Sequence, residues 1–322
     1  GEVPSCDRTD AWIFMRVQCR QGHMSTIRVR RFDPKTIKES RIIFIIGKRH
    51  TGKSVLMKDL LYHMPRADFT LAMAPTEDTL RVFREFLPES CIFDHFSQEK
   101  LERTVSLQKE LVSRGKRRTV CIILDDCLYQ KGILRSNAMR SIFFNGRHDN
   151  ITLICAAQYM MEVDVSLRSN IDYIFTMRET ILTNRQKLFK HYFGQFSNFN
   201  DFEKVMQACT QDYRSLVLDG TVSTVKSPTD CVMWYKASPE LPPFRLCKDM
   251  YWRMANRFCL SKDAMRQAKH RKFELQNAVM DTINQTSQPE VKRPEAGKRS
   301  TASGIVLVQT EDAEGNVVPA PD

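Results

Sequence analysis

Gly47-Lys48-Arg49-His50-Thr51-Gly52-Lys53-Ser54 follows the apolar run RIIFII at residues 41–46. It runs directly into a stretch, 52–63, where Val55, Leu56, Met57 and Leu60 supply one apolar helical face. The octapeptide meets G-x-x-x-x-G-K-[ST] at every fixed position. The order of strand, glycine loop and helix favours a phosphate loop over a chance match in a glycine turn. Such a loop turns its backbone N–H groups toward phosphate oxygens, and the helix N-terminus adds partial positive charge. Gly47 and Gly52 permit the tight path, while Lys48, Arg49, His50 and Thr51 complete the cradle. Lys53 then neutralises β/γ-phosphate charge, and Ser54 is the expected Mg²⁺ ligand.

Downstream, TVCIILDD (residues 119–126) is an apolar strand ending in two carboxylates. At the carboxyl end of a strand, Asp125 would hold the Mg²⁺ shell and Asp126 would orient an attacking water. The strand 69–74, between loop and acids, marks the ATPase branch that activates water. Gln158 ends another apolar run, 151–157, where a polar side chain lies beside a γ-phosphate; an exposed loop glutamine is the competing reading. Arg147 and Arg168 precede the fourth and fifth strands of the domain. Each is either an arginine finger acting on a neighbouring subunit or a surface ion pair of little energy.

Outward from this centre, strands at 120–124, 151–157 and 171–176 alternate with helices at 78–87 and 98–113. That order predicts an α/β fold with a mainly parallel sheet flanked by helices. Residues 26–31 read as a lead-in strand. Helices are expected at 182–193 and 201–210, and β runs at 215–218 and 231–235. The phenylalanines 193, 196, 199 and 202 read as core or subunit contact. A helical extension covers 248 to about 283, with a break near 260. The expected domains are an N-terminal extension to residue 37, an ATPase domain over 38–245, a basic helical extension over 246–286 and a mobile tail over 287–322. Within that tail, 305–310 and 316–318 are candidates for a small hairpin.

The 322-residue chain is 42% hydrophobic and 27% charged, as folded globular proteins are. No apolar run approaches the roughly 20 residues of a membrane helix. The first residues lack the basic-then-apolar order of a signal peptide. Met24 is a candidate initiator, which would make 1–23 an upstream extension. Lysine and arginine number 49 against 38 acids, a net +11 that favours a polyanionic partner. Eight of these cations lie between Lys248 and Lys272, with Tyr251 and Trp252 interleaved. They form either a phosphate-tracking helix or a solvated face. The basic run 114–118 reads as a surface turn opposite the nucleotide. None of the ten cysteines forms a C-x-x-C pair, so a zinc ribbon has no support, and reduced thiols are expected. Cys6, Cys19 and His23 match no metal-site spacing.

Taken together, GKRHTGKS, IILDDC, NGRHDNITLICAAQ, LRSNIDYIF, YRSLVLD and DCVMWYKA resemble the genome-packaging ATPases of large double-stranded DNA viruses. These poxvirus and giant-virus proteins are a branch of the FtsK/HerA superfamily. The resemblance covers about residues 38–240. It implies a homo-oligomeric ring that uses ATP and Mg²⁺ to thread double-stranded DNA into a viral shell. Capsid or portal-type proteins are then its partners, no membrane is involved, and it resides in the virion or the host cytoplasmic viral factory. Lys53, Ser54, Asp125 and Gln158 fall on the family's phosphate, magnesium, Walker B and sensor positions. Arg147 is the first choice for the finger and Arg168 the second. Asp126 departs from the glutamate usual in the wider superfamily, though the viral branch often carries aspartate. A HerA-like helicase or repair motor, or a slow nucleotide-dependent assembly switch, are the other functions this constellation serves.

Overall fold

The computed structural model describes residues 12–18, 24–127, 132–158 and 163–258. Two strands, β1 (Trp12–Gln18) and β2 (Met24–Arg30), pair antiparallel in a small sheet of their own. The lead-in strand is thus real, but it begins at Met24 and has a partner that the sequence reading missed.

The main sheet is built from β3 (Ile42–Ile46), β4 (Phe69–Met73), β5 (Ile92–Phe93), β6 (Val120–Asp125), β7 (Ile151–Ala157), β8 (Tyr173–Thr176), β9 (Arg214–Asp219) and β10 (Val232–Lys236). Their spatial order is β10-β9-β8-β3-β7-β6-β4-β5. The pairs from β8 through β5 are parallel, and β9 and β10 add antiparallel at one edge. The mainly parallel sheet expected from the alternation of strands and helices is therefore what the chain builds.

Strand β3 shows why both faces are covered. Ile42, Phe44 and Ile46 point into one apolar layer, and Ile43 and Ile45 into the other, all buried. This is the continuous apolar run of a strand buried on both sides. Helices α1 (Lys53–His63) and α2 (Glu77–Arg84) cover one face through Leu56, Leu60, Leu80 and Phe83. Helices α3 (Gln98–Ser113) and α4 (Asn137–Asn145) cover the other through Leu101, Val105, Met139 and Ile142. The helix α4 escaped the sequence reading. Its signal was a cap: the Ser136 hydroxyl accepts the Met139 N–H at 3.4 Å, ahead of an apolar pair at 138/139 repeated at 142/143.

A short α5 (Val165–Arg168) leads to β8, and α6 (Leu182–Tyr192) and α7 (Phe199–Cys209) lead to β9. Phe193, Phe196 and Phe202 are buried among these helices, and Phe199 packs beside them, as expected of a core series. A turn, α8 (Pro228–Cys231), precedes β10. Cys121 and Cys155 are buried, and burial pushes the Cys121 thiol up to about 12.

The last described element is α9 (Asp249–Phe258). Leu246 and Cys247, just before it, are buried, and the Leu246 N–H donates to the Phe86 carbonyl at 2.9 Å. Lys248 pairs with Asp68, and Tyr251 packs its ring 5.2 Å from that of Phe69. Trp252 Nε1 donates to the Leu246 carbonyl at 2.7 Å. The two aromatics of this basic stretch thus make contacts within the fold. The cations after Phe258, the tail and the candidate hairpin lie outside the described residues, as do Cys6, Cys19 and His23.

Candidate functional site

The order β3-β7-β6 decides the site. In a parallel sheet the strands deliver their following loops to the same edge. The phosphate loop after β3 and the acids at the end of β6 therefore flank the residue that follows β7, which is Gln158.

The loop is pinned before any ligand arrives. A Cβ at Gly47 would stand 2.6 Å from Met177 Cγ and 2.7 Å from Thr51 Oγ1, so no side chain fits there. Gly52 caps α1 with φ +94°, a left-handed conformation that suits glycine. The Thr51 hydroxyl donates to the Lys48 carbonyl at 2.7 Å. Lys48 Nζ pairs with Glu179 at 2.8 Å and donates to Thr180 Oγ1 at 3.1 Å, tying the loop to the segment after β8. Burial pushes the Glu179 carboxyl up, but its bonds from Lys48, Ile181 N–H and Asn184 outweigh this and hold it below its ordinary value. Arg49 and His50 are exposed at the loop's crown. Ser54 is half-buried in the first turn of α1. Inside α1, buried Asp59 accepts from the Tyr235 hydroxyl and from the Ser238 N–H at 3.2 Å, which ties the helix to the β10 edge.

Lys53 is buried and donates through Nζ to the Gly47 carbonyl at 2.8 Å and the Lys48 carbonyl at 3.2 Å. Its ammonium lies 3.9 Å from Asp126 Oδ1. Asp126 adopts φ +47°, and its N–H donates to the Ala156 carbonyl of β7 at 2.9 Å. Gln158 Nε2 donates to Asp126 Oδ2 at 3.1 Å. The chain thus brings Lys53, Asp126 and Gln158 into one contiguous polar group.

Asp125 is buried beside them, and Thr79 donates to its Oδ2 at 2.8 Å. Thr76 in turn donates to Thr79 at 3.0 Å. The sequence held no sign of Thr79, which reads simply as a residue in the first turn of α2. Asp125 Oδ1 is buried without a hydrogen-bond partner. An orphaned carboxylate oxygen is a hard donor of the kind that suits Mg²⁺. Burial pushes the Asp125 carboxyl up to about 6 from 3.8, aided by the charge of Asp126 and opposed by Thr79 and Lys53.

That shift has a testable sign. A carboxyl whose folded-state pKa is raised adds stability that is complete below its ordinary pKa and is lost as pH rises through the folded value. Between about pH 4 and 6 the stability of the ligand-free protein should therefore fall through this group, and Asp125→Asn should remove that component. Thermal unfolding across this range measures it. An unchanged slope in Asp125→Asn would contradict the assignment.

Arg147 and Arg168 are not part of this group. Arg147 pairs with Asp172, whose buried carboxylate also accepts from Arg41 and from the Ile42 N–H, both at 2.9 Å. Arg147 lines a depression of about 1040 Å³ with Lys35, Lys38, Arg41 and Arg117, at the amino ends of the strands. Arg168 bonds His191 through Nη1. Arg147 thus lies at the end of the sheet opposite the phosphate loop. The basic turn 114–118 also lies at the amino end, immediately before β6.

No helix among the described residues is long and apolar enough to cross a membrane. The family described as Poxvirus A32 protein matches residues 29–232. Uncharacterized protein 088R of Invertebrate iridescent virus 3 is 34% identical over 196 residues, covering 61% of this chain and 75% of its own length. Uncharacterized protein L437 of Acanthamoeba polyphaga mimivirus is 29% identical over 226 residues, 66% of this chain and 79% of its own. Among solved structures, the genome packaging NTPase B204 from Sulfolobus turreted icosahedral virus 2, in complex with ATP-gammaS, is similar with a TM-score of 0.45. It is 17% identical, over 64% of this chain and 99% of that one.

Proposed function

The chain belongs to the Poxvirus A32 protein family and is an ATPase, and we propose that its hydrolysis drives double-stranded DNA into a virion. The observation that carries this reading is the group Lys53, Asp126 and Gln158 at the mouth of the phosphate loop, with Asp125 behind it. A cation for the β/γ-phosphates, a buried carboxylate and a second, half-exposed carboxylate are the parts that water-activating P-loop ATPases need.

In the proposed reaction, ATP phosphates occupy the loop, and Lys53 leaves the Gly47 and Lys48 carbonyls to meet them. Mg²⁺ held by Ser54 and Asp125 would neutralise developing charge between the β- and γ-phosphates. Asp126 orients and deprotonates the attacking water, and Gln158, already bonded to Asp126, senses the γ-phosphate. Arg147 lies at the amino ends of the strands, opposite its own loop, and Arg168 is the second choice for the finger. In a homo-oligomeric ring one of them would reach a neighbour's γ-phosphate. Net charge of +11 supports contact with a DNA backbone without base reading. Capsid or portal-type proteins would dock the ring in the viral factory.

The test is ATP hydrolysis with and without duplex DNA at two salt concentrations. The expected result is stimulation by DNA that fades as salt rises. Turnover indifferent to DNA in the presence of its capsid partner would overturn the translocase reading and leave an assembly switch.

A further inference from the structure

A bulky aromatic stands in solvent beside the phosphate loop. Asp212 and Tyr213, between α7 and β9, have φ +50° and +60°, two consecutive left-handed residues that are not glycine. Such backbone is unfavourable for a tyrosine and persists only where surrounding bonds impose it. Here the turn is held by Arg214, which pairs with Asp212 at 3.0 Å and donates through Nε to the Gln211 carbonyl at 3.0 Å. The outcome is that Tyr213 is 72% exposed. Its Cδ1 is 3.5 Å from the point where a Cβ on Gly52 would stand, and Met177 Cε is 3.6 Å from that point. Val55, one turn into α1, is also exposed.

Tyr213 and Met177 share one flank of the loop. Met177 follows β8, and Tyr213 precedes β9, its neighbour, whereas Asp125, Asp126 and Gln158 lie beyond β3 on β6 and β7. A nucleotide whose γ-phosphate points to the carboxylates directs its nucleoside the other way, to the Tyr213 flank.

We propose that Tyr213 is the stacking platform for the base of the bound nucleotide, with the buried Met177 side chain backing the loop beside it. The proposal rests on the ATPase reading and adds to it the residue that grips the base. A flat aromatic face binds any base, so it gives affinity without base selection.

The experiment is calorimetric titration of the full chain with ATP and with inorganic tripolyphosphate, which has no base. Tyr213→Gly is the informative variant because glycine adopts φ +60° without strain. It should weaken ATP about tenfold, the effect of losing one base–aromatic stack, and leave tripolyphosphate unchanged. Tyr213→Phe should keep the parental ATP affinity. An equal loss for both ligands would mean that Tyr213 only shapes the loop, and no loss for ATP would mean that no stack exists. Either result overturns the proposal while leaving the ATPase reading intact. A parent chain that binds neither ligand would overturn both.

Discussion

Lys53→Ala should bind ATP about 100-fold more weakly than the parent chain and show no measurable turnover. Charge-assisted hydrogen bonds are worth about 1.5–3 kcal/mol each, so two to phosphate oxygens supply about 3–6 kcal/mol. The ammonium first surrenders its bonds to the Gly47 and Lys48 carbonyls, which leaves about 3 kcal/mol net, or about two decades in affinity. The two carboxylates of β6 add to the loss, because without Lys53 they face the phosphates with their charge less compensated. Calorimetry with ATP reads the effect directly, and a variant within fivefold of the parent would remove Lys53 from its role. The same variant tests the proposed finger. Mixed with Arg147→Ala, it should restore some DNA-stimulated turnover, since an intact loop then meets an intact arginine on a neighbour. No recovery in demonstrated mixed rings would return Arg147 to its ion pair with Asp172.

Much of the site was readable because two different periodicities met at glycines. The run at 42–46 has no polar interruption, which only a strand covered on both faces sustains, and Lys53 begins the helix at once. Asp125 and Gln158 were legible for a related reason: Asp125 ends one largely apolar strand and Gln158 follows another, and parallel strands present their carboxyl ends together. What was illegible depends on sheet order. Nothing in the spacing says that β7 lies between β3 and β6, and only that order lets Gln158 bond Asp126. Thr79 was missed because it sits in no motif, and Tyr213 because it only opens YRSLVLD, a segment read as a strand. Thr79 acts through the packing of α2 against β6, and Tyr213 through a left-handed turn that the residues Asp212 and Tyr213 do not advertise. The basic stretch after Lys248 reads as a free cationic helix, yet Lys248 and Tyr251 spend their groups on Asp68 and Phe69. Charge density along a chain does not reveal which charges the fold consumes.

Asp126→Asn should part binding from hydrolysis: ATP stays bound and hydrolysis falls by about 10²–10⁴, the range ascribed to a positioned general base. Structure should survive the change for two local reasons. Asparagine is one of the few residues at ease in the left-handed region that Asp126 occupies at φ +47°. Its side-chain oxygen can still accept from Gln158 Nε2. What disappears is the negative charge and the capacity to take a proton from water. The ion pair with Lys53 is long, at 3.9 Å, and Lys53 keeps its two carbonyl acceptors, so its loss costs little. Removing an anion next to the γ-phosphate site also reduces repulsion, so ATP affinity should equal or exceed that of the parent. A single-turnover assay separates this outcome from one limited by product release. Normal chemistry in that assay would shift the base to another group, whereas lost ATP binding would recast Asp126 as a structural anchor for Lys53. In the proposed site Lys53→Ala would remove the cation that holds phosphate and Asp126→Asn the anion that activates water, although the two groups stand only 3.9 Å apart. Only a site that divides binding from chemistry in this way would give opposite effects on ATP affinity from two such neighbours.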